Sequence, residues 1–272
     1  MEPDQTGAWA LTVSVIDAPS PNHDARPDGA PIDTLVLHYT GMQSGEAALA
    51  RLRDPEAKVS SHYLVEEDGR VFALVPEARR AWHAGLSFWR GHASLNDRSI
   101  GIEIVNPGHE WGYRDFPPAQ TATVIALCRD ILRRHPIPPR NVVAHSDIAP
   151  ERKQDPGERF PWAALAAAGI GLWPGEAPEE ARALPTLAVG DEGPGVASLR
   201  RTLGRIGYRV AAEGAFDRSL ALAVTAFQRH WAQHRTDGVA DGETRWRIGR
   251  VAGLAEERVR SAQTRQAEAR GA

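Results

Sequence analysis

The sequence lacks the features that mark several large classes of protein. It contains one cysteine, Cys128, in 272 residues, so it cannot form an internal disulfide and does not read as a disulfide-stabilised secreted domain. No apolar run approaches the roughly 20 residues that cross a bilayer, and the first ten residues carry no basic segment of the kind that opens a signal peptide. We therefore expect a protein without a membrane anchor, located in the cytoplasm, or in the periplasm if the N-terminus was trimmed.

An excess of basic residues is also missing. The 32 Lys and Arg residues are balanced by 35 Asp and Glu residues, giving a formal charge of −3, whereas a nucleic-acid binder needs a basic surplus to neutralise phosphates. We therefore expect no nucleic-acid partner. The hydrophobic content of 42% and charged content of 25% are those of a soluble globular protein. The length suits one domain with a substantial core and one smaller domain.

The first part of the chain alternates strand and helix signals. Apolar and β-branched runs predict four strands and one further short strand, and a helical apolar repeat opened by Pro117 and Pro118 predicts a helix that stops at Pro136. The predicted strands span residues 33–39, 62–66, 71–75, 99–105 and 141–144. This order predicts an α/β domain with a mixed central sheet flanked by helices.

The second part of the chain changes character at residue 174. Residues 174–185 are acidic and proline-containing, which is typical of a linker. Two apolar stripes at helical spacing follow, and a third short helix is expected after Gly242. We predict a first domain over residues 1–173, a linker over 174–185, a small three-helix domain over 186–250 and a charged tail over 251–272. The tail is either a solvated helix or disordered.

Three residues suggest a metal site. His38 and His145 end predicted strands and Asp155 follows shortly after, and such positions converge on one edge of a sheet. Two imidazoles and one carboxylate suit zinc and leave its fourth position open, as a catalytic rather than a structural site requires. The 107 residues between the histidines (145 minus 38) make the spacing alone weak support.

The surrounding motifs carry more information. In order along the chain they are LHYT at 37–40, SHY at 61–63, AWHAG at 81–85, NDRSIGIE at 96–103 and HSDIAPERKQDPG at 145–157. This series resembles the N-acetylmuramoyl-L-alanine amidase family, which includes phage amidase lysozymes and peptidoglycan recognition proteins, over roughly residues 30–165.

The resemblance implies a role for each of five residues. It implies that His38, His145 and Asp155 bind Zn²⁺, that Glu103 is the catalytic base and that Lys153 lies beside the scissile carbonyl. Without the resemblance, Glu103 on a sheet face would more simply pair with a surface lysine, and Lys153 would be a solvated charge.

Four residues are candidates for binding the substrate. Trp82, His83, Trp89 and Arg90 lie in one aromatic and polar stretch. His83 is either a residue that contacts the ligand or a packed histidine. The tryptophans either line a sugar cleft or belong to the core.

The region after the linker resembles the small three-helix peptidoglycan-binding module. The match begins at residues 189–196 (VGDEGPGV) and continues through 223–228 (AVTAFQ). Helical stripes alone would fit any bundle, so the match is only moderately specific.

The expected function is zinc-dependent hydrolysis of the amide bond between the (anhydro-)N-acetylmuramoyl lactyl group and L-alanine, in cell-wall recycling or remodelling. The expected partners are peptidoglycan fragments or muropeptides. The alternatives are a recognition protein that binds such fragments without cutting them, and a scaffold with a structural zinc. The sequence leaves the oligomeric state open.

Overall fold

The computed structural model describes residues 13–271, with side chains for residues 13–257. Ten strands are present in the described part of the chain. They are β1 (Val15–Asp17), β2 (His23–Ala25), β3 (Thr34–Tyr39), β4 (Tyr63–Val65), β5 (Val71–Ala73), β6 (Arg79–Ala81), β7 (Phe88–Trp89), β8 (His92–Ala93), β9 (Ser99–Ile104) and β10 (Val142–Ala144).

The helices frame these strands and then form a separate group. They are α1 (Gly45–Arg53), α2 (Pro118–Arg134), α3 (His145–Ile148), α4 (Trp162–Ala167), α5 (Pro194–Ile206), α6 (Arg218–Trp231) and α7 (Gly242–Gly271). Short 3₁₀ turns lie at Pro55–Ala57, Leu95–Asp97, Pro139–Asn141 and Glu179–Ala183. None of the helices in the described range is both long and apolar enough to cross a bilayer.

Six strands form the central sheet in the order β1-β5-β4-β9-β3-β10. The β4–β5 pair is antiparallel, with Asp68 and Gly69 in the turn between the two strands, and the other pairs are parallel. The predicted mixed α/β sheet is therefore confirmed, and each strand predicted from the sequence is present within two residues at either end. The separate two-stranded ribbons β2-β6 and β7-β8 were not predicted.

The two faces of the sheet have different neighbours. Leu35, Leu37 and the three isoleucines of β9 are buried against α2, where Val124, Leu127, Cys128 and Ile131 complete the core. Val36 and His38 point to the other face, because successive side chains alternate along a strand. That second face carries the candidate site and packs against the C-terminal helices.

The linker and tail are more ordered than their composition suggests. Residues Glu179–Ala183 form a 3₁₀ turn that contacts α7, and Ala181 is 4% exposed. Helix α7 continues past residue 250, and Val251, Ala252 and Ala255 are buried in the core. The helical alternative for the tail agrees with α7, but the first tail residues are buried and not solvated, because their apolar side chains pack against α5 and α6.

The C-terminal helices share a hydrophobic cluster with the sheet. Their predicted apolar stripes are buried, but against residues of the first region as well as against each other. The first region contributes Val36, Ala84, Trp89, Leu95, Val143, Ile148 and Leu172 to this cluster. A close approach of β7 to the end of α5 is possible because residue 207 is glycine, where a Cβ atom would lie 2.6 Å from the Trp89 ring.

Trp89 lies in this shared cluster, which leads to a stability prediction. Trp89→Ala should lower the free energy of unfolding by about 3–5 kcal/mol, because the indole is 2% exposed and packs edge-on against Tyr208 with ring centroids 5.2 Å apart. Urea denaturation measures the change. Trp111→Ala is the matched control, since Trp111 is 53% exposed, and it should shift stability by no more than about 0.5 kcal/mol. Equal losses in the two variants would contradict this placement of Trp89.

Candidate metal centre and active site

The candidate ligands are brought together by neighbouring parallel strands. His38 is near the end of β3, and His145 is the first residue after β10, which pairs with β3. Carboxyl ends of parallel strands meet at one edge of a sheet. Asp155 joins them on the turn after α3, where its carbonyl accepts a hydrogen bond of 3.0 Å from the backbone N–H of Ser146.

Three ligand atoms converge at this edge. His38 Nδ1 lies 2.9 Å from His145 Nδ1 and 3.1 Å from Asp155 Oδ2, and His145 Nδ1 lies 3.0 Å from the same oxygen. All three residues are buried. A nearly equilateral set of two imidazole nitrogens and one carboxylate oxygen matches the donors of a catalytic zinc site, so the residues present fit this ion.

The protonation states also suit metal binding. Burial, together with the neighbouring His145, lowers the pKa of His38 to about 4, so its imidazole is neutral at pH 7. Burial opposes ionisation of Asp155, but its contacts with His145 and His38 outweigh this and hold the pKa of its carboxyl below the usual range. Metal ligation requires these forms, a neutral imidazole and an ionised carboxylate.

A second layer of hydrogen bonds orients the two imidazoles. The Nε2–H of His145 donates to the carbonyl of Ala84 at 3.2 Å, which leaves Nδ1 free to bind a metal. His38 Nε2 lies 3.0 Å from His83 Nδ1, and His83 Nε2 lies 3.1 Å from the hydroxyl of Ser99. With His38 Nδ1 as the ligand atom, its Nε2–H donates to His83, which in turn donates to Ser99.

His83 is thus a packed histidine that supports a ligand and also lines the cleft. Its ring is buried, and burial lowers its pKa well below the usual value, so Nδ1 can accept the hydrogen bond from His38. Gly101 makes room for this ring, because a Cβ atom there would lie 2.5 Å from His83 Cγ. No motif in the sequence alone indicates that Gly101 leaves space for the His83 ring.

Glu103 lies on the same face of the sheet as His38. The two residues are register partners on β9 and β3, so their side chains project in the same direction. Glu103 Oε2 is buried without a hydrogen-bond partner among the described residues. Burial and the nearby Asp155 charge raise the pKa of Glu103 well above its usual range. A carboxylate in this setting favours a proton and faces the open space beside the candidate metal ligands.

An open cleft of about 540 Å³ gives access to these residues. Glu103, Lys153, His145 and Asp155 all contribute to its lining. The cleft therefore brings together the predicted base, the predicted lysine and two of the candidate ligands. Other lining residues, which sequence reasoning did not single out, include Tyr39, Met42, Arg51, His109, Trp111 and Arg152.

Three of the predicted substrate contacts lie outside this lining. Trp89 is in the shared core, and Arg90 donates hydrogen bonds to the carbonyls of Arg205 and Ile206 at the end of α5. The backbone N–H of Trp82 donates to Ser60, and its indole hydrogen-bonds the side chain of Asp24. Their side chains serve contacts within the fold, so we do not propose these three as substrate contacts. His109, which belongs to none of the sequence motifs, lies on the cleft wall with its Nδ1 2.9 Å from the hydroxyl of Tyr39.

Comparisons with known proteins agree with this geometry. Residues 28–158 match the family described as N-acetylmuramoyl-L-alanine amidase, and residues 192–248 match a putative peptidoglycan binding domain. The N-acetylmuramoyl-L-alanine amidase AmiD of Escherichia coli K12 is 42% identical over 229 residues, which cover 78% of this chain and 79% of AmiD. The 1,6-anhydro-N-acetylmuramyl-L-alanine amidase AmpD of Enterobacter cloacae is 36% identical over 161 residues, 53% of this chain and 84% of AmpD.

Two solved structures with bound ligands are also similar. The complex of E. coli AmiD with the substrate anhydro-N-acetylmuramic acid-L-Ala-D-gamma-Glu-L-Lys superposes with a TM-score of 0.69 at 40% identity, covering 84% of this chain and 92% of that one. The AMPDH3 of Pseudomonas aeruginosa in complex with anhydromuramic pentapeptide superposes with a TM-score of 0.69 at 35% identity, covering 82% and 91%. The identity to AmiD and the extent of the match place this chain in a known family: it belongs to the N-acetylmuramoyl-L-alanine amidases.

Proposed function

We propose that the protein is a zinc-dependent amidase that cuts between the lactyl group of anhydro-N-acetylmuramic acid and L-alanine in soluble wall fragments. The observation that carries the proposal is the convergence of the His38, His145 and Asp155 ligand atoms beside the unpaired carboxylate of Glu103, in an open cleft. The anhydromuramyl ligands bound by AmiD and AMPDH3 support the choice of substrate.

The proposed chemistry divides among few groups. A zinc ion held by His38, His145 and Asp155 would polarise the amide carbonyl and lower the pKa of a bound water to about 7. Glu103 takes the proton from the attacking water and delivers it to the amide nitrogen as the carbon–nitrogen bond breaks. The products are a free lactyl carboxylate and the amino group of L-alanine. Lys153 stabilises negative charge on the carbonyl oxygen, a contribution typically worth roughly 3 kcal/mol.

A binding protein without catalysis is the alternative. Such a protein needs neither a base nor an open metal position. The buried and unpaired oxygen of Glu103 costs free energy that a binding role alone would not require, which favours the enzyme.

The match of residues 192–248 to a putative peptidoglycan binding domain supports a second substrate, the insoluble cell wall. The cytoplasmic location expected from the sequence supports soluble fragments and stays a prediction. Incubation with insoluble wall and with soluble anhydro-muropeptides, followed by mass analysis of the products, separates the two substrates. Cell fractionation locates the protein.

We predict about one zinc ion per chain. His145→Ala should lose this zinc and the activity together, because a ligand set of two residues holds zinc far more weakly than one of three. Elemental analysis of the purified protein measures the metal. His92→Ala is the matched control, since His92 is exposed on β8, and should keep both. Full activity after exhaustive chelation, with no zinc left, would overturn the proposed chemistry.

Replacement of Glu103 tests the proton transfer. Glu103→Gln should retain zinc but lower kcat by about 100-fold to 10,000-fold, because the amide cannot accept a proton. KM should change little, since the lost interaction belongs to the transition state. Steady-state kinetics on an anhydro-muropeptide measure both. Glu110→Gln, the same change at an exposed residue lining the cleft, should leave kcat near that of the wild type. Near-normal turnover by Glu103→Gln would mean that another group moves the proton.

The raised pKa of Glu103 predicts a pH-dependent difference in stability for the metal-free protein. Because the folded state favours the protonated carboxyl, its stabilising effect is complete below the unfolded-state pKa of about 4.3 and is lost as the pH rises. Glu103→Gln cannot ionise, so it should be more stable than the wild type at pH 7, by roughly 1.4 kcal/mol for each unit by which the folded-state pKa exceeds the unfolded-state value, counted only up to pH 7. Urea denaturation at pH 4 and pH 7 measures the gap, which should close at pH 4. A gap that is the same at both values would show that ionisation of Glu103 is not its cause.

A further inference from the structure

Residues 145–162 carry much of the proposed active site on little regular secondary structure. The segment contains His145, Lys153 and Asp155, yet it forms only the four-residue helix α3 before α4 begins at Trp162. Backbone hydrogen bonds within so short a helix cannot hold its position alone. Contacts with other parts of the chain must therefore fix where the ligand atoms lie.

Asp147 provides the most buried of these contacts. It lies two residues after His145, is 1% exposed, and its Oδ2 accepts a hydrogen bond of 2.8 Å from the backbone N–H of Ala144. Its other partners belong to the C-terminal helices. Nδ1 of His230, on α6, lies 2.6 Å from Oδ2, and the hydroxyl of Tyr208, directly after α5, donates to Oδ1. The carboxylate thus joins the start of α3 to two elements of the C-terminal unit, which consists of α5, α6, α7 and the loops between them.

Helix α6 contacts the segment at its far end as well. The His230 ring is stacked between the indoles of Trp162 and Trp231, with centroid distances of 3.6 Å on both sides. Gln233, just beyond α6, donates to the carbonyl of Phe160 at 2.7 Å. The segment is therefore held from the C-terminal unit near its beginning and at its end.

The middle of the segment is held in the same way. The guanidinium of Arg229 donates to Gln154 Oε1 at 3.3 Å and lies 3.9 Å from a carboxylate oxygen of Glu158. Glu158 in turn pairs with His109 on the cleft wall. Gln154 is the residue between Lys153 and Asp155, so this contact reaches the position next to a candidate metal ligand.

From these contacts we propose that Tyr208 and His230 are positioning residues that act through Asp147 on the metal-binding segment. The C-terminal unit is then a brace for the metal site, in addition to any binding of the cell wall. This inference rests on the proposed zinc centre. Loss of either partner leaves a buried carboxylate short of a hydrogen bond, and such a group moves or admits water to recover one. Metal ligands tolerate displacements of only about 0.2 Å, so zinc affinity responds to such a movement.

The test compares two variants of the full chain with a matched control. Tyr208→Phe removes only the hydroxyl, and His230→Phe keeps a ring between the two indoles but removes the hydrogen bond. The control is Arg200→Met. Arg200 is 2% exposed, and its hydrogen bonds go to Ala211, Ala215 and Asp217, all within the C-terminal unit.

Zinc affinity is measured by competition with a chelator, and the cobalt-substituted proteins give an absorption spectrum that reports ligand geometry. Tyr208→Phe and His230→Phe should bind zinc up to about 10-fold more weakly than the wild type, which is the low end of the effect of removing a direct partner of a metal ligand, because they act through Asp147 and the backbone of Ala144. Their cobalt spectra should also change. Arg200→Met should lower the melting temperature but keep the wild-type affinity and spectrum.

The proposal would be wrong if both phenylalanine variants kept the zinc affinity and cobalt spectrum of the wild type and only their melting temperatures fell. Tyr208 and His230 would then stabilise the fold without positioning the metal ligands. A wild type that binds no zinc would instead refute the proposed function. In that case, hydrogen exchange of the metal-free proteins tests separately whether Tyr208 and His230 hold the segment in place. The amides of Ser146 and Ala149 should exchange faster in Tyr208→Phe than in Arg200→Met, and equal rates would overturn the proposal.

Discussion

Three electron-rich atoms lie about 3 Å apart inside the protein, and the surrounding structure holds them there against their mutual repulsion. Two imidazole nitrogens and a carboxylate oxygen, from His38, His145 and Asp155, converge on one small space. The parallel pairing of β3 with β10 and the outer hydrogen bonds to Ala84 and His83 all serve this one arrangement.

The position of these three atoms depends on the two faces of the sheet having different roles. The isoleucines of β9 and the leucines of β3 bind the sheet to α2, so the alternate residues must face the opposite side. On that side, Gly101 leaves space for the His83 ring and Glu103 reaches the cleft. A slip of one residue in β9 would turn Glu103 toward α2, and a slip of one residue in β3 would turn His38 away from the site. Core packing and active-site geometry are therefore specified by the same register.

Much of the sheet and the metal site could be predicted from the sequence, because both depend on local patterns. The apolar and β-branched run over residues 99–105 located β9, and strand ends located His38 and His145, whereas the role of Glu103 came from the family resemblance. The contacts of Trp89 and Arg90 could not be predicted from local sequence patterns. Aromatic and basic residues in a loop look alike whether they meet a ligand or another part of the chain, and here the end of α5, more than 100 residues later, contacts both. The order of the linker and of residues 251–255 depends on the same distant contacts.

The shared hydrophobic cluster has a consequence for synthesis of the chain on the ribosome. Val36, Val143 and Leu172 are translated well before the helices that cover them. At the usual 5–20 residues per second, residues 174–272 take roughly 5–20 s to make. Throughout that interval, the nascent first region exposes an apolar face beside the candidate metal ligands. Chaperones that bind apolar surfaces can bind this face until α5, α6 and α7 emerge and cover it.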